Sequence, residues 1–111
     1  MRKKLREAKE FLGDEYRFAV IDGGDVVYRD FGRCDMEIFY LATSEPSWRG
    51  YYVVVWEKNQ RWAGTPLAYN SIDGTYIEQR DPCRSLPELK EYVDEMVRRY
   101  GGTYAGIVHR A

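Results

Sequence analysis

The six residues 51–56, Tyr-Tyr-Val-Val-Val-Trp, constrain the fold more than any other part of the sequence. They have the length and residue types of a β-strand, in which successive side chains point to opposite faces of the sheet. A strand with one face in water would have a polar residue at every second position, whereas this segment is aromatic or aliphatic throughout. Residues 38–41, Ile-Phe-Tyr-Leu, repeat the pattern. Both faces of the central strands therefore need a cover, either from helices on both faces or from a partner on one of them.

Two helices frame the predicted strands. Residues 2–12 carry apolar residues on one helical face and are followed by Gly13, which is typical of a helix end. Ser85 and Glu88 have the spacing of a capping box, in which each residue satisfies a backbone N–H at the start of a helix. A second helix is therefore predicted to begin at Ser85 and to end at Gly101.

Turn-forming residues divide the intervening sequence into short strands. Residues 22–25, Asp-Gly-Gly-Asp, and the pair Asp73-Gly74 both predict tight hairpins. Strands are predicted at residues 16–22, 26–31, 36–43, 51–58, 67–72 and 75–80, and residues 103–109 could add one more. Because short turns join consecutive strands, the predicted class is α+β, an antiparallel sheet of about five or six strands flanked by an N-terminal and a C-terminal helix. Residues 1–111 are expected to form one compact α+β domain.

The composition is that of an ordinary globular protein. Apolar residues make up 44% and charged residues 32% of the 111 residues, which allows a core without a metal or disulfide. Cys34 and Cys83 fit no metal-binding spacing, so two free thiols and a cytoplasmic location are expected. The first residues, Met-Arg-Lys-Lys, do not have the pattern of a secretory leader, and no apolar stretch approaches the length of a membrane span.

Charge is unevenly distributed along the chain, although its net value is −1. Residues 1–12 carry five basic and two acidic side chains, whereas residues 14–45 carry three basic and eight acidic ones. The acidic residues either lie in solvated turns or form a docking surface for a basic partner. On the second interpretation, the predicted acidic rim of a binding site consists of Asp22, Asp25, Asp30 and Asp35.

No set of residues in the sequence predicts catalysis or a bound cofactor. The single histidine, His109, lies close to the C-terminal end, where a solvated side chain is the usual state. The four aspartates of the acidic rim, together with Glu37, could hold Mg²⁺ or Ca²⁺. Aspartates beside glycines are equally favoured in turns, however, because they form local hydrogen bonds there. We therefore expect no enzyme activity, no metal and no cofactor.

Aromatic residues are the best candidates for a binding site. The chain has ten tyrosines and three tryptophans, and Trp48 and Trp62 fall in the predicted loops on either side of strand 51–58. Tryptophan, tyrosine and arginine dominate the binding energy of protein interfaces, which makes these loops candidate contact regions. The predicted partner-binding anchors are Trp48, Arg49, Trp62, Tyr69 and Tyr76.

These features favour a small, non-enzymatic protein that binds another protein and occludes its functional surface. Intracellular inhibitors of the toxin-immunity type and of the phage or plasmid counter-defence type share this profile. One alternative is a small-ligand or nucleotide-binding domain with an aromatic-lined cleft. A weaker alternative is single-stranded nucleic-acid binding by the aromatic and arginine pairs, which the slightly negative net charge argues against. A homodimer through an uncovered sheet face is a further option, and no membrane association is expected.

Overall fold

The helices and strands follow the predicted order along the chain. A computed structural model describes residues 2–58, 61, 64, 66–70 and 81–101. The helices are α1 (Arg2–Leu12) and α2 (Leu86–Met96), and α2 continues into a π-helical turn, Val97–Gly101. The strands are β1 (Arg17–Ile21), β2 (Gly24–Asp30), β3 (Cys34–Leu41), β4 (Gly50–Glu57) and β5 (Ala68–Tyr69). A short 3₁₀ turn, Pro46–Trp48, lies between β3 and β4.

The described strands form an antiparallel sheet in the order β1-β2-β3-β4-β5, so each strand pairs with its neighbours in the sequence. The β1–β2 connection is a tight turn in which Asp22 and Gly23 have positive φ angles of 53° and 81°. The Asp-Gly pair favours such a turn because both residues adopt this backbone conformation at small cost. The predicted α+β class and the hairpin at residues 22–25 are therefore confirmed.

Both helices pack against the same face of the sheet. Side chains of β3 and β4 point alternately to the two faces, and every second one joins a buried core with residues of α1 and α2. Core members from these two strands are Cys34, Met36, Ile38, Tyr51, Val53 and Val55, and those from the helices are Leu5, Ala8, Leu89, Tyr92, Val93 and Met96. The sheet therefore has a helix-covered face and, as far as the described residues go, a helix-free face. The sequence alone had left this arrangement open.

β3 begins two residues earlier than the sequence predicts. The backbone N–H of Phe31 donates to the carbonyl of Cys34 (2.9 Å), and the N–H of Lys58 donates to the carbonyl of Arg33 (3.0 Å). These bonds extend the pairing of β3 with both of its neighbours to the very end of the strand. Asp35, which the sequence places in a turn, therefore lies within β3 and is buried.

β5 is shorter than the strand predicted at residues 67–72 and comprises only Ala68–Tyr69. The next residue, Asn70, is fully buried, and its Nδ2 donates to the carbonyl of Asp81 (2.7 Å). This bond joins the end of β5 to the segment that leads into α2. The strands predicted at 75–80 and 103–109, the turn predicted at 73–74 and His109 all lie outside the described residues.

A close contact at Gly50 fixes the segment before α2 against the first residues of β4. The N–H of Tyr51 donates to the carbonyl of Cys83 (2.8 Å), and the N–H of Cys83 donates to the carbonyl of Tyr51 (3.0 Å). Gly50 has a φ of +152°, and a Cβ atom at this position would lie 2.6 Å from the carbonyl oxygen of Cys83. Only glycine therefore permits this approach. Cys83 and Cys34 are both buried and neither forms a disulfide, in line with the two reduced cysteines that the sequence predicts.

Replacing Gly50 with alanine should destabilise the protein. We expect Gly50→Ala to lower the free energy of unfolding by about 1–3 kcal/mol, because the new methyl group meets backbone atoms that cannot move aside. Urea denaturation monitored by circular dichroism would measure the change. Gly24→Ala is the matched control, since its Cβ would have only the carbonyl oxygen of Ile21 nearby, at 3.8 Å. Equal denaturation midpoints for the two variants would contradict this account of Gly50.

Candidate functional site

The loop between β3 and β4, residues 42–49, is held by an extensive set of hydrogen bonds and is termed here the Trp48 loop. Six consecutive carbonyl groups, from Thr43 to Trp48, each accept a hydrogen bond. The donors, in order, are Arg49 Nε (2.9 Å), Arg49 Nη2 (3.1 Å), Trp48 N (3.1 Å), Arg84 Nη1 (2.9 Å), Arg84 Nη2 (2.8 Å) and Tyr52 Oη (2.8 Å). Surface loops usually leave such groups to water, so this loop has an unusually well-defined conformation.

Local residues set the shape of the Trp48 loop. The carboxylate of Glu45 accepts hydrogen bonds from the N–H (3.4 Å) and the hydroxyl (2.9 Å) of Ser47, which begins the 3₁₀ turn. Pro46 stands at the first position of this turn, where its fixed φ is favourable and its missing N–H is not needed. The result is a tight 3₁₀ turn whose last residue is Trp48.

Two arginines hold the loop from either side. The guanidinium of Arg49 donates hydrogen bonds to two carbonyls of its own loop, those of Thr43 and Ser44. Arg84 reaches the loop from the start of α2, where its own N–H donates to the carboxylate of Glu88 (2.8 Å). Arg49 was predicted as a partner-binding anchor, and in the structure its guanidinium stabilises the loop through these hydrogen bonds.

Trp48 is the most prominent side chain of this loop. Its side chain is 51% exposed, although its carbonyl is bonded to the hydroxyl of Tyr52. Leu41, the last residue of β3, is also exposed, at 38%. Large apolar side chains on a fixed loop add little to the core, and tryptophan is the residue type most enriched among binding hot spots. The exposed Trp48 that the sequence suggested is therefore present on a fixed backbone.

Aromatic side chains lie next to this loop on the helix-free face. The rings of Phe39 and Tyr52 stack with centroids 5.3 Å apart and an interplanar angle of 11°. Tyr69, another predicted anchor, lies 6.4 Å from each of these two rings and is half-buried. Because Tyr52 also bonds to the Trp48 carbonyl, it links two of the predicted anchors, Trp48 and Tyr69.

A buried ionic cluster occupies the other end of this face. The guanidinium of Arg61 contacts both Asp35 (3.2 Å) and Glu37, and it lies 5.1 Å from the ring centre of Trp56. The hydroxyl of Tyr28 donates to the second oxygen of Asp35 (3.1 Å). Asp35 and Glu37 are only 6% and 7% exposed, so the cationic Arg61 is needed to balance their charge.

Burial changes the titration of two groups in this cluster. Loss of hydration raises the pKa of Glu37 above its usual value of 4.5, and the hydrogen bond from Arg61 only partly opposes this effect. Burial, helped by the negative charges of Asp35 and Asp30, raises the pKa of Tyr28 to about 12. The Tyr28 hydroxyl is therefore a permanent donor at neutral pH, which suits its bond to a carboxylate.

The predicted acidic rim does not form one surface. Asp22 and Asp25 lie at the β1–β2 hairpin, whereas Asp30 lies at the opposite end of β2, about 17 Å from Asp25 along the strand. Asp30 is paired with Lys58 (3.0 Å) and accepts from the N–H of Gly32 (2.7 Å), while Asp35 is buried. The structure thus separates these residues into a hairpin pair, a surface ion pair and a buried cluster.

Sequence reasoning missed three residues of the Trp48 loop and its surroundings. Leu41 could have been found, because it ends the apolar pattern of residues 38–41 on the helix-free side. Tyr52 and Arg84 had no such signal, since their roles depend on contacts with distant or loop residues. Arg84 lies 37 residues from Ser47, whose carbonyl it binds. The remaining predicted anchors, Trp62 and Tyr76, lie outside the described residues.

Two absences can be stated for residues 2–58, 61, 64, 66–70 and 81–101. No group of three or more His, Cys, Asp or Glu side chains there is arranged to hold a metal ion. In the same part of the chain, every helix is too short or too polar to cross a membrane. Comparison with protein-family models, curated proteins and solved structures finds no match to this chain.

The raised pKa of Glu37 should be visible in the stability of the protein. Between pH 4.5 and this higher pKa, the folded protein holds a proton that the unfolded chain has released. The contribution of Glu37 to the free energy of unfolding should therefore fall as pH rises through this window. This contribution is measured by chemical denaturation at a series of pH values, as the free energy of unfolding of the wild type minus that of Glu37→Gln.

Glu91→Gln is the matched control for this measurement, because Glu91 is exposed on α2. The pH dependence of the Glu37→Gln difference is compared with that of Glu91→Gln measured at the same pH values. A Glu37 contribution that rises with pH would contradict the prediction, because it would mean that attraction to Arg61 outweighs burial.

Proposed function

We propose that this protein works by binding another protein, with Trp48 as the central anchor of the contact. The observation that carries this proposal is a half-exposed tryptophan on a loop whose six carbonyls from Thr43 to Trp48 all accept hydrogen bonds. Binding normally orders flexible loops at a cost in conformational entropy. A loop that is already ordered avoids most of this cost, so more of the contact energy is kept as affinity.

The chemistry of the loop suggests what the partner offers. Trp48 and Leu41 present apolar surface, and the guanidinium groups of Arg49 and Arg84 are directed at loop carbonyls. A partner with an apolar pocket for the indole ring and polar groups around its rim would fit this surface. On this proposal the protein is an intracellular inhibitor of the immunity or counter-defence type, which acts by covering a functional surface of its partner.

The contacts on the helix-free face favour a protein partner over a small ligand. Phe39, Tyr52 and Tyr69 pack on one another, with ring centres 5.3–6.4 Å apart, and so fill the space that a cleft would need. They also favour a protein partner over nucleic acid. The arginines near the aromatic residues bind carbonyl or carboxylate oxygens within the chain, which leaves fewer of their N–H donors for phosphates.

Paired capture experiments test the role of Trp48. Tagged wild type and tagged Trp48→Ala are used as baits in lysate of the native host, and bound proteins are quantified by mass spectrometry. We expect one protein to be recovered in near-stoichiometric amount with wild type and to be lost with Trp48→Ala. When the captured protein is purified, its affinity for Trp48→Ala should be lower than its affinity for the wild type by about 2 kcal/mol or more.

The matched control is Phe11→Ala, which removes an aromatic ring of similar exposure, 45%, from α1. It should retain the partner at wild-type affinity. Equal recovery with the wild-type and Trp48→Ala baits, or no protein enriched over an untagged control, would contradict the proposal.

Loosening the loop should weaken binding even when Trp48 is kept. Arg84→Gln removes the two bonds to the carbonyls of Pro46 and Ser47, so the loop must be ordered again on binding. We expect about a tenfold lower affinity by calorimetry, which corresponds to about 1.4 kcal/mol. Arg98→Gln, at a side chain 71% exposed, controls for the lost charge. Identical affinities for these two variants would show that loop order does not contribute.

A further inference from the structure

Among the described strands, β1 lies at the edge of the sheet. β1 is the first strand in the sheet order, and no described strand pairs with its outer side. After Arg17 the strand reads Phe-Ala-Val-Ile, without a charge, a proline or a bulge. Free edges of this kind are usually blocked by lysine, proline or an inward charge, because they otherwise pair with another chain. The sequence of β1 therefore suits pairing.

Two apolar side chains of this strand lie on the helix-covered side but remain exposed. Phe18 is 41% and Val20 is 69% exposed. The strand register shows that they lie on this side, because Phe18 is opposite Val27, and Val27 belongs to the core under the helices. α1 packs mainly over β2 and β3, and it leaves these two side chains partly exposed. The helix layer thus ends one strand before the sheet does.

A pocket beside the strand completes this patch. It has a volume of about 130 Å³ and is lined by Leu5, Phe18, Ala19, Val20 and Asp25. An apolar cavity of about 150 Å³ is large enough for a benzene molecule. The pocket is somewhat smaller than such a cavity, and it offers a place for part of an apolar side chain of another chain.

We propose that two copies of this chain associate through antiparallel pairing of their β1 strands. The two-fold axis passes through Ala19, so that Phe18 of each copy lies opposite Val20 of the other. A two-fold interface requires a patch that is complementary to itself. This patch meets that condition, because it consists of two exposed apolar side chains, Phe18 and Val20, and the pocket that both of them line.

Charge at the strand ends favours a second copy over an unrelated extended peptide. Arg17 is exposed at the start of β1, and Asp22 is exposed directly after its end. Antiparallel pairing brings Arg17 of one copy close to Asp22 of the other, on both sides of the axis. Glu15, the nearest acidic residue at the Arg17 end, is already paired with Arg29 (3.4 Å). The interface would thus have an apolar centre and oppositely charged ends.

The oligomeric state in solution tests the proposal. Sedimentation equilibrium over a wide concentration range should give twice the mass of one chain for wild type. Val20→Lys should raise the dimer dissociation constant by about tenfold or more, because its ammonium would be buried in the interface without a partner. Phe11→Lys, an exposed site on α1, is the control and should remain dimeric. A monomeric wild type, or a dimer that Val20→Lys leaves unchanged, overturns the proposal.

Cysteine cross-linking tests the register independently. Residues directly opposite each other in antiparallel strands have Cα atoms about 4.5–5.5 Å apart, which is within disulfide range. Ala19→Cys should therefore form a covalent dimer under mild oxidation, whereas Val20→Cys should not. The native cysteines do not interfere, because Cys34 and Cys83 are fully buried. Failure of Ala19→Cys to cross-link overturns the proposed pairing. The cross-linking result does not depend on the proposed partner binding, because Trp48 lies in the β3–β4 loop and Ala19 lies in β1.

Discussion

The alternation of side chains along β3 and β4 determines how the rest of the structure is arranged. Tyr51, Val53 and Val55 face the helices, so Tyr52, Val54 and Trp56 must face the other way. Because both sets are apolar, both faces must be kept from water, and the two helices cover only one of them. The second face is covered in part by its own side chains, through aromatic stacking at one end and an arginine over Trp56 at the other.

The start of α2 connects this fold to the candidate site. Three consecutive residues at this point make contacts of different kinds. Cys83 pairs with the beginning of β4, Ser85 caps the helix by accepting from the N–H of Glu88, and Arg84 between them binds the Trp48 loop. The position of Arg84 is therefore fixed on both sides by the backbone. The same contacts that attach α2 to the sheet thus also order the surface that we propose as a binding site.

Features that depend on neighbouring residues could be predicted from the sequence. The Asp22-Gly23 turn and the N-cap at Ser85 follow from local backbone preferences, and both are present. The exposure of Trp48 also followed from its place in a short polar loop. In each case the residues that decide the structure lie within a few positions of one another.

Features that depend on distant segments could not be predicted in this way. Helical periodicity identifies the apolar side of a helix but not the sheet face against which it packs. The pairing of Arg61 with Glu37 and of Arg84 with Ser47 joins residues that are 24 and 37 positions apart. Asp35 was assigned to a turn because the sequence near Gly32 favours one, but strand pairing on both sides extended β3 past it.

The hydrogen bonds of the Trp48 loop have a consequence for how binding specificity can change. Position 48 contributes its backbone to the carbonyl and N–H contacts that hold the loop, and the indole ring is half-exposed at the surface. A different side chain at this position would be displayed at the same place, on the same backbone. If Trp48 anchors the proposed contact, a single substitution there would redirect the contact to a new partner surface without a compensating change elsewhere in the chain. In such a loop, the side chain that makes the proposed contact can change while the residues that hold the backbone stay the same.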